Sequence, residues 1–456
     1  MDPKKSTENV LEDSIASCDE DLYVCDQDSV ASSVDSTAEE MFRNGLDPVL
    51  DWPSPDIYWP DEDCDLQQRK RSRLSSTCSP AGGDGRESEN DGVSTERWHS
   101  LDETDVEPLQ LDFTPVQEPG PKSLPSNCSS PLQFFQLFFT KTTIQSIVEH
   151  TNVYGSKCKD VGNPWLYLSV KDLKSYIGLV IYTGLLKCSL LTEYWRKSQY
   201  FSPSFPAQVM SYQKFVTIAN TLHFSNTIED EKNYLKGTAA YERLGKIQPL
   251  YQLIREASKT YFHPFQNITI HERILAAQPL SVDKSTDRGH KLFALTDCTC
   301  GYTWDFFIYE GKSCASQNVG LSYESVMSLV DENTLGSGYK LFVDKFYTSP
   351  TLFRDLLYKK IWACGPIWAN RKGFPKTVMD RLSKNAPRGT MRWIRDDSLL
   401  FVEWKDSQEV QMCSTFHKAY EGDTVQRKVN NDAHRTLVEV PIPAVVLDYN
   451  RLVEFQ

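Results

Sequence analysis

From Pro131 onward, apolar residues recur at the spacing of helices that pack on a core. After a dense apolar run at 132–139, the pattern predicts further helices at about 170–187, 211–222 and 247–262. The first of these three is almost wholly apolar along one side, although Gly178 and Gly184 interrupt it. The pattern therefore predicts an all-helical region over residues 129–265.

The pattern changes after residue 265 to short β-rich runs, which predict strands at 268–275, 291–296, 302–309 and 339–343. Ser349 and Pro350 are a suitable N-cap and first-turn pair for a helix that continues to Lys359. A further strand is predicted at 361–368, and a hairpin at 398–404 and 409–415. Strands followed by a crossover helix and another strand predict a mixed α/β sheet.

Residues 1–128 are rich in Ser, Asp, Glu, Pro and Gly and show no sustained helical or strand period. Such a composition does not bury enough apolar surface to offset the loss of chain entropy, so we expect a disordered arm. Residues 1–130 contain 30 acidic and 10 basic side chains, whereas the remainder contains 32 acidic and 39 basic ones. An acidic arm is thus joined to a mildly basic body.

Three features bear on the cellular compartment. The chain has no apolar run long enough for a membrane span and no apolar signal peptide, so we expect an intracellular soluble protein that does not contact membranes. Its 12 cysteines show no metal-binding spacing, which predicts free thiols. A compact basic cluster in the acidic arm suits a nuclear import receptor or a polyanion, although such runs also occur by chance. The cluster consists of Arg69, Lys70, Arg71 and Arg73.

A second concentration of basic residues follows the predicted strand at 361–368. This basic stretch predicts binding to DNA phosphates that depends on salt and is tolerant of base sequence. The alternative is that the stretch is an ordinary solvated surface. The candidate DNA-binding residues are Arg371, Lys372, Arg388 and Arg392, in a stretch that also contains Lys376, Arg381, Lys384 and Arg395. Trp362 and Trp368 lie nearby and are expected to belong to the core.

Several motifs in family order make residues 131–450 resemble the piggyBac transposase family, including its host-domesticated relatives. They are Thr151-Asn-Val-Tyr154, Lys246-Ile-Gln-Pro249, Gly301-Tyr302, Tyr309-Glu-Gly-Lys312, Leu341 to Phe353, Asn370-Arg-Lys-Gly373 and Asp448-Tyr-Asn450. The resemblance implies an α/β fold with a ribonuclease H-like core at 266–370. It also implies a helical dimerisation and DNA-binding region at 129–265, a β-rich insertion at 371–440 and a truncated return to the core at 441–456.

The same resemblance implies a catalytic site built from three aspartates that hold two divalent metal ions for DNA cleavage. The second aspartate corresponds to Asp344, a candidate catalytic remnant and metal ligand, which could instead only cap a turn. The first corresponds to His271, within Ile270-His-Glu272. A neutral imidazole brings no negative charge and cannot bridge two ions, so Mg²⁺ binding should be weak. Glu272 is a poor substitute because neighbouring residues on a strand face opposite sides.

The family's third aspartate lies in a Gly-Gly-Val-Asp segment, which this chain does not reach after Arg451 to Gln456. Asp448 comes too early to be that residue, and Asp283 and Asp297 are assigned to a loop and a strand end. With one aspartate kept, one replaced and one absent, the expected protein is catalytically inactive and binds DNA or chromatin in the nucleus. No cofactor is expected, and Mg²⁺ or Mn²⁺ matters only if some activity survives.

Three alternatives stay open at this point. The first is a metal-dependent nuclease or transposase with a modified site of His271, Glu272 and Asp344. The second is an adaptor whose acidic arm recruits nuclear proteins through Leu46, Val49, Leu50 and Trp52. The third is a truncated or decaying copy with a marginally stable core. The resemblance is also compatible with a homodimer.

Overall fold

The fold is that of a computed structural model. It describes residues 97–126, 128–157, 165–196, 205–227, 230, 241–276, 289–310, 320–431 and 434–453. The basic cluster at 69–73, the apolar residues at 46–52 and Asp283 lie outside these residues.

Helices dominate the described chain from Pro131 to Tyr261. They are α1 (Pro131–Phe138), α2 (Lys141–Lys157), α3 (Val170–Leu185), a 3₁₀ turn (Leu191–Trp195), α4 (Phe205–Val209), α5 (Tyr212–Thr221) and α6 (Gln248–Tyr261). The helices predicted at 170–187, 211–222 and 247–262 are therefore present. Ser169 and Ser211 cap two of them by accepting hydrogen bonds from backbone N–H groups of the first turn. Among the described residues, no helix has the length and apolarity that a membrane span requires.

Fifteen strands are formed by the described residues, most of them after Tyr261. They are β1 (His99–Ser100), β2 (Thr114–Pro115), β3 (Gly120–Pro121), β4 (Phe262–His263), β5 (Asn267–Ala276), β6 (Gly289–Asp297), β7 (Thr303–Ile308), β8 (Gly336–Ser337), β9 (Lys340–Val343), β10 (Trp362–Pro366), β11 (Met391–Asp396), β12 (Leu399–Lys405), β13 (Glu409–Ser414), β14 (Thr424–Asn431) and β15 (His434–Pro441). Four helices lie among them: α7 (Leu321–Leu329), α8 (Glu332–Leu335), α9 (Pro350–Tyr358) and α10 (Ala444–Val453). Every strand predicted from the sequence is present within a few residues of its expected bounds.

Nine strands form one mixed sheet in the order β1-β11-β12-β13-β10-β9-β5-β6-β7. β9 is central and runs parallel to both β5 and β10, whereas the other pairs are antiparallel. The predicted hairpin is β12 and β13, and it does not stand apart from the core. Because β13 pairs with β10, the strands expected in a β-rich insertion extend the same sheet; β14 and β15 pair only with each other.

Apolar side chains cover both faces of the sheet. On one face, Ile270 and Val343 pack with Phe353 of α9, and all three are at most 1% exposed. On the other face, Phe342 and Trp404 pack with Val445 of α10. A third apolar cluster joins helices α2, α3 and α5. Burial on both faces explains why β9 and β12 read as almost continuous apolar runs.

The expectation of disorder throughout 1–128 was wrong for the described residues that follow residue 96. Trp98 is fully buried in the core of the sheet, and its indole N–H donates to the Thr377 carbonyl at 3.1 Å. Asp105 forms an ion pair with Arg395 at 2.6 Å, and both side chains are less than 10% exposed. The composition was acidic and lacked periodicity, but a few well-placed side chains anchor this segment to strands far along the chain.

We expect Trp98→Ala to lower the free energy of unfolding by about 3–5 kcal/mol, because it empties a large site in the core. Urea unfolding of the full chain, followed by circular dichroism, measures this change. A matched control is Leu109→Ala in the same segment, since Leu109 is 62% exposed; its effect should stay within about 0.5 kcal/mol. Equal effects of the two substitutions would contradict the observed packing.

Candidate active site

The parallel pairing of β5 with β9 brings His271 and Asp344 together. Ile270 is the partner of Val343 in the register, so the next residue on each strand is His271 on one side and Asp344 on the other. β9 ends at this point, and Asp344 begins the turn that leads to α9. The two sequence-predicted positions therefore lie side by side at the carboxyl edge of the central strands.

Asp344 stabilises the turn that it begins. Its carboxylate accepts the Phe346 N–H at 2.8 Å, and its backbone carbonyl accepts the Thr348 hydroxyl at 3.0 Å. Although the side chain reaches solvent, partial burial raises the pKa of the Asp344 carboxyl, and the negative charge of Glu272 raises it further. Asp344 therefore caps the turn, as the sequence allowed. The surroundings of its carboxylate disfavour additional negative charge.

His271 is held as a neutral side chain. Both of its ring nitrogens are buried, and neither has a hydrogen-bond partner among the described residues. Burial lowers the pKa of the imidazole, and the nearby positive charge of Arg273 lowers it further. A buried, unpaired imidazole of this kind costs free energy and contributes no charge to the site.

Glu272 lies next to His271 on β5, on the opposite side of the strand. Its carboxylate pairs with Lys291 of β6 at 3.4 Å. The charge of Glu272 still reaches the neighbouring groups, since it helps to raise the pKa of Asp344 and of the buried Tyr347 hydroxyl. Glu272 therefore influences the site electrostatically while one of its oxygen atoms, Oε2, contacts Lys291.

These residues do not fit a pair of divalent metal ions. Mg²⁺ and Mn²⁺ require several oxygen ligands, and a two-ion site requires a carboxylate that bridges the ions. Around Asp344, the described residues offer its own carboxylate, the neutral imidazole of His271 and the carboxylate of Glu272, which contacts Lys291. Nowhere in that part do three His, Cys, Asp or Glu side chains cluster closely enough to hold a metal ion.

Two further aspartates singled out in the sequence have structural roles. Asp297 is fully buried and accepts backbone N–H groups of Phe265 and Thr299, at 2.7 and 2.8 Å. Asp448 pairs with His417 at 3.2 Å and so ties α10 to the segment that follows β13. Neither residue joins Asp344.

A family model described as Transposase IS4 matches residues 130–455, well over half of the chain. The chain belongs to this transposase family. Curated relatives and a solved structure place it with the piggyBac-type members, as the sequence motifs indicated.

Two human relatives are piggyBac transposable element-derived proteins. PiggyBac transposable element-derived protein 5 is 22% identical over 348 residues, which cover 72% of this chain and 63% of that protein. PiggyBac transposable element-derived protein 2 is 25% identical over 311 residues, which cover 66% of this chain and 50% of that protein. The chain thus spans less than two thirds of the length of either relative.

A solved structure also resembles the chain. It is the cryo-EM structure of the piggyBac transposase synaptic complex with hairpin DNA, with a TM-score of 0.56 and 19% sequence identity. The match covers 74% of this chain and 68% of the piggyBac chain. At this level of identity, the similarity establishes a shared fold.

In this family member, the basic stretch after β10 is largely engaged in internal contacts. Arg388 pairs with Asp406 at 2.5 Å, and Arg392 donates to the Asp380 carbonyl at 3.1 Å. Arg381 and Arg395 are also in ion pairs, whereas Lys372, Lys376 and Lys384 are exposed. The candidate DNA-binding residues therefore differ in how much positive charge they present to solvent.

Arg371 connects the turn after Asp344 to an exposed aromatic ring. Its guanidinium donates to the carbonyls of Phe346 and Thr348, and it lies 5.5 Å from the centre of the Trp368 ring. Trp362 is buried as expected, but Trp368 is 38% exposed, so the expectation that it belongs to the core was wrong. The ring lies beyond the end of β10, where the sheet no longer covers it.

Tyr449 of α10 is a neighbour of the site that the sequence alone did not single out. Tyr449 is partly buried, and its desolvation together with the charge of Asp344 raises the pKa of the phenol. The only signal for this residue in the sequence was its place in the family motif Asp448-Tyr-Asn450. Its position near Asp344 depends on how α10 docks against β9 and β10.

We expect the stability of the protein to fall as the pH is lowered from 7 to 5, in part because of His271. Its folded-state pKa lies below the usual value of 6.5, so acid protonates the unfolded chain first and favours unfolding. His271→Leu should match or exceed the wild-type stability at pH 7 and should reduce the loss at pH 5. Urea unfolding at pH 5, 6 and 7 measures both effects.

His271→Asn is the matched control, because it removes the titration but keeps a polar group without a partner. It should show the shallower pH dependence without the gain in stability at pH 7. His263 and His417 also have lowered pKa values and account for a remaining slope. An unchanged pH dependence in both variants would show that His271 is not held neutral by the fold.

Proposed function

We propose that this piggyBac transposase-derived protein is catalytically inactive and binds DNA or chromatin in the nucleus. The observation that carries the proposal is the neutral, unpaired imidazole of His271 beside Asp344. Cleavage by two metal ions requires anionic oxygen ligands at this position. The described residues instead supply one carboxylate whose pKa is already raised.

The strand order supports the ribonuclease H-like assignment within this proposal. Strands β7, β6 and β5 are successive antiparallel neighbours, and β9 and β10 continue the sheet in parallel with β5. The resemblance described from the sequence implies this type of core for the family. His271 on β5 and Asp344 directly after β9 then correspond to two of the family's catalytic positions.

DNA binding is supported by the chemistry of the sheet edge that carries Asp344. Lys345 and Lys372 are exposed there, and the Lys345 ammonium lies 5.7 Å from the centre of the Trp368 ring. Exposed cations beside an aromatic face suit a nucleic-acid backbone and its bases. The piggyBac transposase with a similar fold is itself in a complex with hairpin DNA.

We expect the full chain to bind a duplex oligonucleotide of arbitrary sequence, with an affinity that falls as salt rises. Lys372→Gln should reduce the slope of log K against log salt by about one, because one phosphate contact is lost. Lys360→Gln is the matched control, since Lys360 is exposed at the opposite end of β10. Fluorescence anisotropy at several salt concentrations between 50 and 200 mM measures both slopes.

Absence of cleavage is checked on the same protein with supercoiled plasmid in Mg²⁺ or Mn²⁺. We expect no nicking above that of Asp344→Ala. Nicking that disappears in Asp344→Ala would overturn the proposal of inactivity while leaving DNA binding intact. Binding that is insensitive to salt, or equally affected by Lys360→Gln and Lys372→Gln, would count against the proposed DNA surface.

The nuclear location in this proposal rests on Arg69, Lys70, Arg71 and Arg73. Because import receptors recognise compact basic clusters, replacing all four residues by alanine should move a fluorescent fusion of the full chain from nucleus to cytoplasm. Replacement of four exposed residues of the body, Lys171, Lys174, Lys360 and Lys384, should leave its location unchanged. Nuclear accumulation of the first variant would remove the basis for this assignment.

A further inference from the structure

Three helices of the helical region line an open apolar groove of about 510 Å³. Helix α1 and its C-cap residue contribute Leu132, Phe135 and Phe139, which repeat at helical spacing and so form one stripe. Phe135 and Phe139 stack on each other with ring centres 4.7 Å apart. α1 has no buried residue, although it is strongly apolar. This helix therefore presents apolar surface that the described residues leave uncovered.

The opposite wall of the groove is formed by α3. Ile177, Gly178 and Ile181 face the groove from this helix, and Ile181 is 49% exposed. A Cβ atom added at Gly178 meets nothing within 4 Å, so the chain leaves open space at this position. Ile144 of α2 is 2% exposed and forms the floor. The groove is thus large enough for apolar side chains of another segment.

The charges at the groove are positive. Lys141 and Lys174 are among its lining residues, which include no carboxylate. Asp172 lies on the same helix as Lys174, but it pairs with Lys214 of α5 at 2.6 Å. An occupant that combines apolar or aromatic side chains with carboxylates would match both the shape and the charge of this groove.

We propose that residues 52–63 of the chain itself occupy this groove. This stretch lies outside the described residues and reads Trp52-Pro-Ser-Pro-Asp-Ile-Tyr-Trp-Pro-Asp-Glu-Asp63. It contains four large apolar or aromatic residues, four carboxylates and no basic residue. The aromatic side chains bury their area against α1 and α3, and the carboxylates lie near Lys141 and Lys174.

The connection to the body is long enough for this contact. Residues 64–96 separate the stretch from Arg97, where the described chain begins. Fully extended, these 33 residues reach about 110 Å. A folded body of this size has a radius of gyration of about 20 Å, so the chain length does not restrict which face the stretch reaches. The proposal is independent of DNA binding by the body.

A photocross-linking experiment on the full chain tests the contact. Trp59 is replaced by p-benzoylphenylalanine, an equal mixture of ¹⁵N-labelled and unlabelled protein is irradiated, and cross-linked peptides are identified by mass spectrometry. We expect cross-links to residues 131–145 or 170–181, with both peptides carrying the same isotope. Mixed-isotope cross-links at the groove would overturn the proposal in favour of a second copy.

Two matched substitutions connect the cross-link to the groove. Gly178→Trp fills the open space and should reduce these cross-links at least tenfold. Gly184→Trp lies on the same helix, also meets nothing within 4 Å and does not line the groove, so it should change them less than twofold. Equal yields in the two variants, or cross-links that map only outside the groove, would contradict the proposal.

A charge exchange tests the electrostatic part without altering the apolar walls. Lys174→Glu should lower the cross-link yield about threefold at low salt, and a second change, Glu62→Lys, should restore it. Thermal unfolding of each variant verifies that the body remains folded. Loss without recovery in the double variant would contradict pairing between the stretch and Lys174.

Discussion

The parallel pairing of β5 with β9 is the constraint on which the rest of the structure depends. β9 has only four residues, yet it joins strands β5, β6 and β7 on one side to β10 and the antiparallel strands beyond it on the other. Leu341 and Val343 enter one core, while Phe342 enters the core on the opposite face. A shift of one residue would exchange these faces and bury the wrong side chains, so the register is strongly fixed. The same register places His271 beside Asp344.

A histidine at position 271 has an electrostatic rationale. An aspartate at position 271 would add negative charge close to Asp344 and Glu272, where the pKa of Asp344 is already raised. A neutral imidazole avoids this repulsion when no cation is bound, but it leaves two ring nitrogens without partners. Metal ions offset such repulsion in two-metal sites. The carboxyl edge of the central strands thus combines one carboxylate with a neutral imidazole, and the proposed inactivity rests on this charge pattern.

Internal ion pairs reduce the positive charge that the basic stretch presents, and the segment that precedes the helices contributes one of them. Asp105 pairs with Arg395 in a nearly dry site and also accepts the backbone N–H of Ala419. Within the body, Arg381 and Arg388 are engaged by Glu403 and Asp406. Charges in such pairs contribute little to a long-range field, so the basic stretch is a weaker polyanion surface than its composition suggests. The lysines that remain exposed carry the proposed DNA contacts.

The sequence by itself determined the elements whose signals are local. Helical periodicity, the Ser349-Pro350 cap and the hairpin turn between β12 and β13 each depend on residues close in the chain, and the motifs identified the family. Only the tertiary structure decided features that depend on distant residues. Trp98 is anchored by Thr377, and Tyr449 approaches Asp344 only after α10 docks. Pairing over such separations leaves no periodic signal in the sequence, because it is selected by the shape and charge of surfaces that exist only after folding.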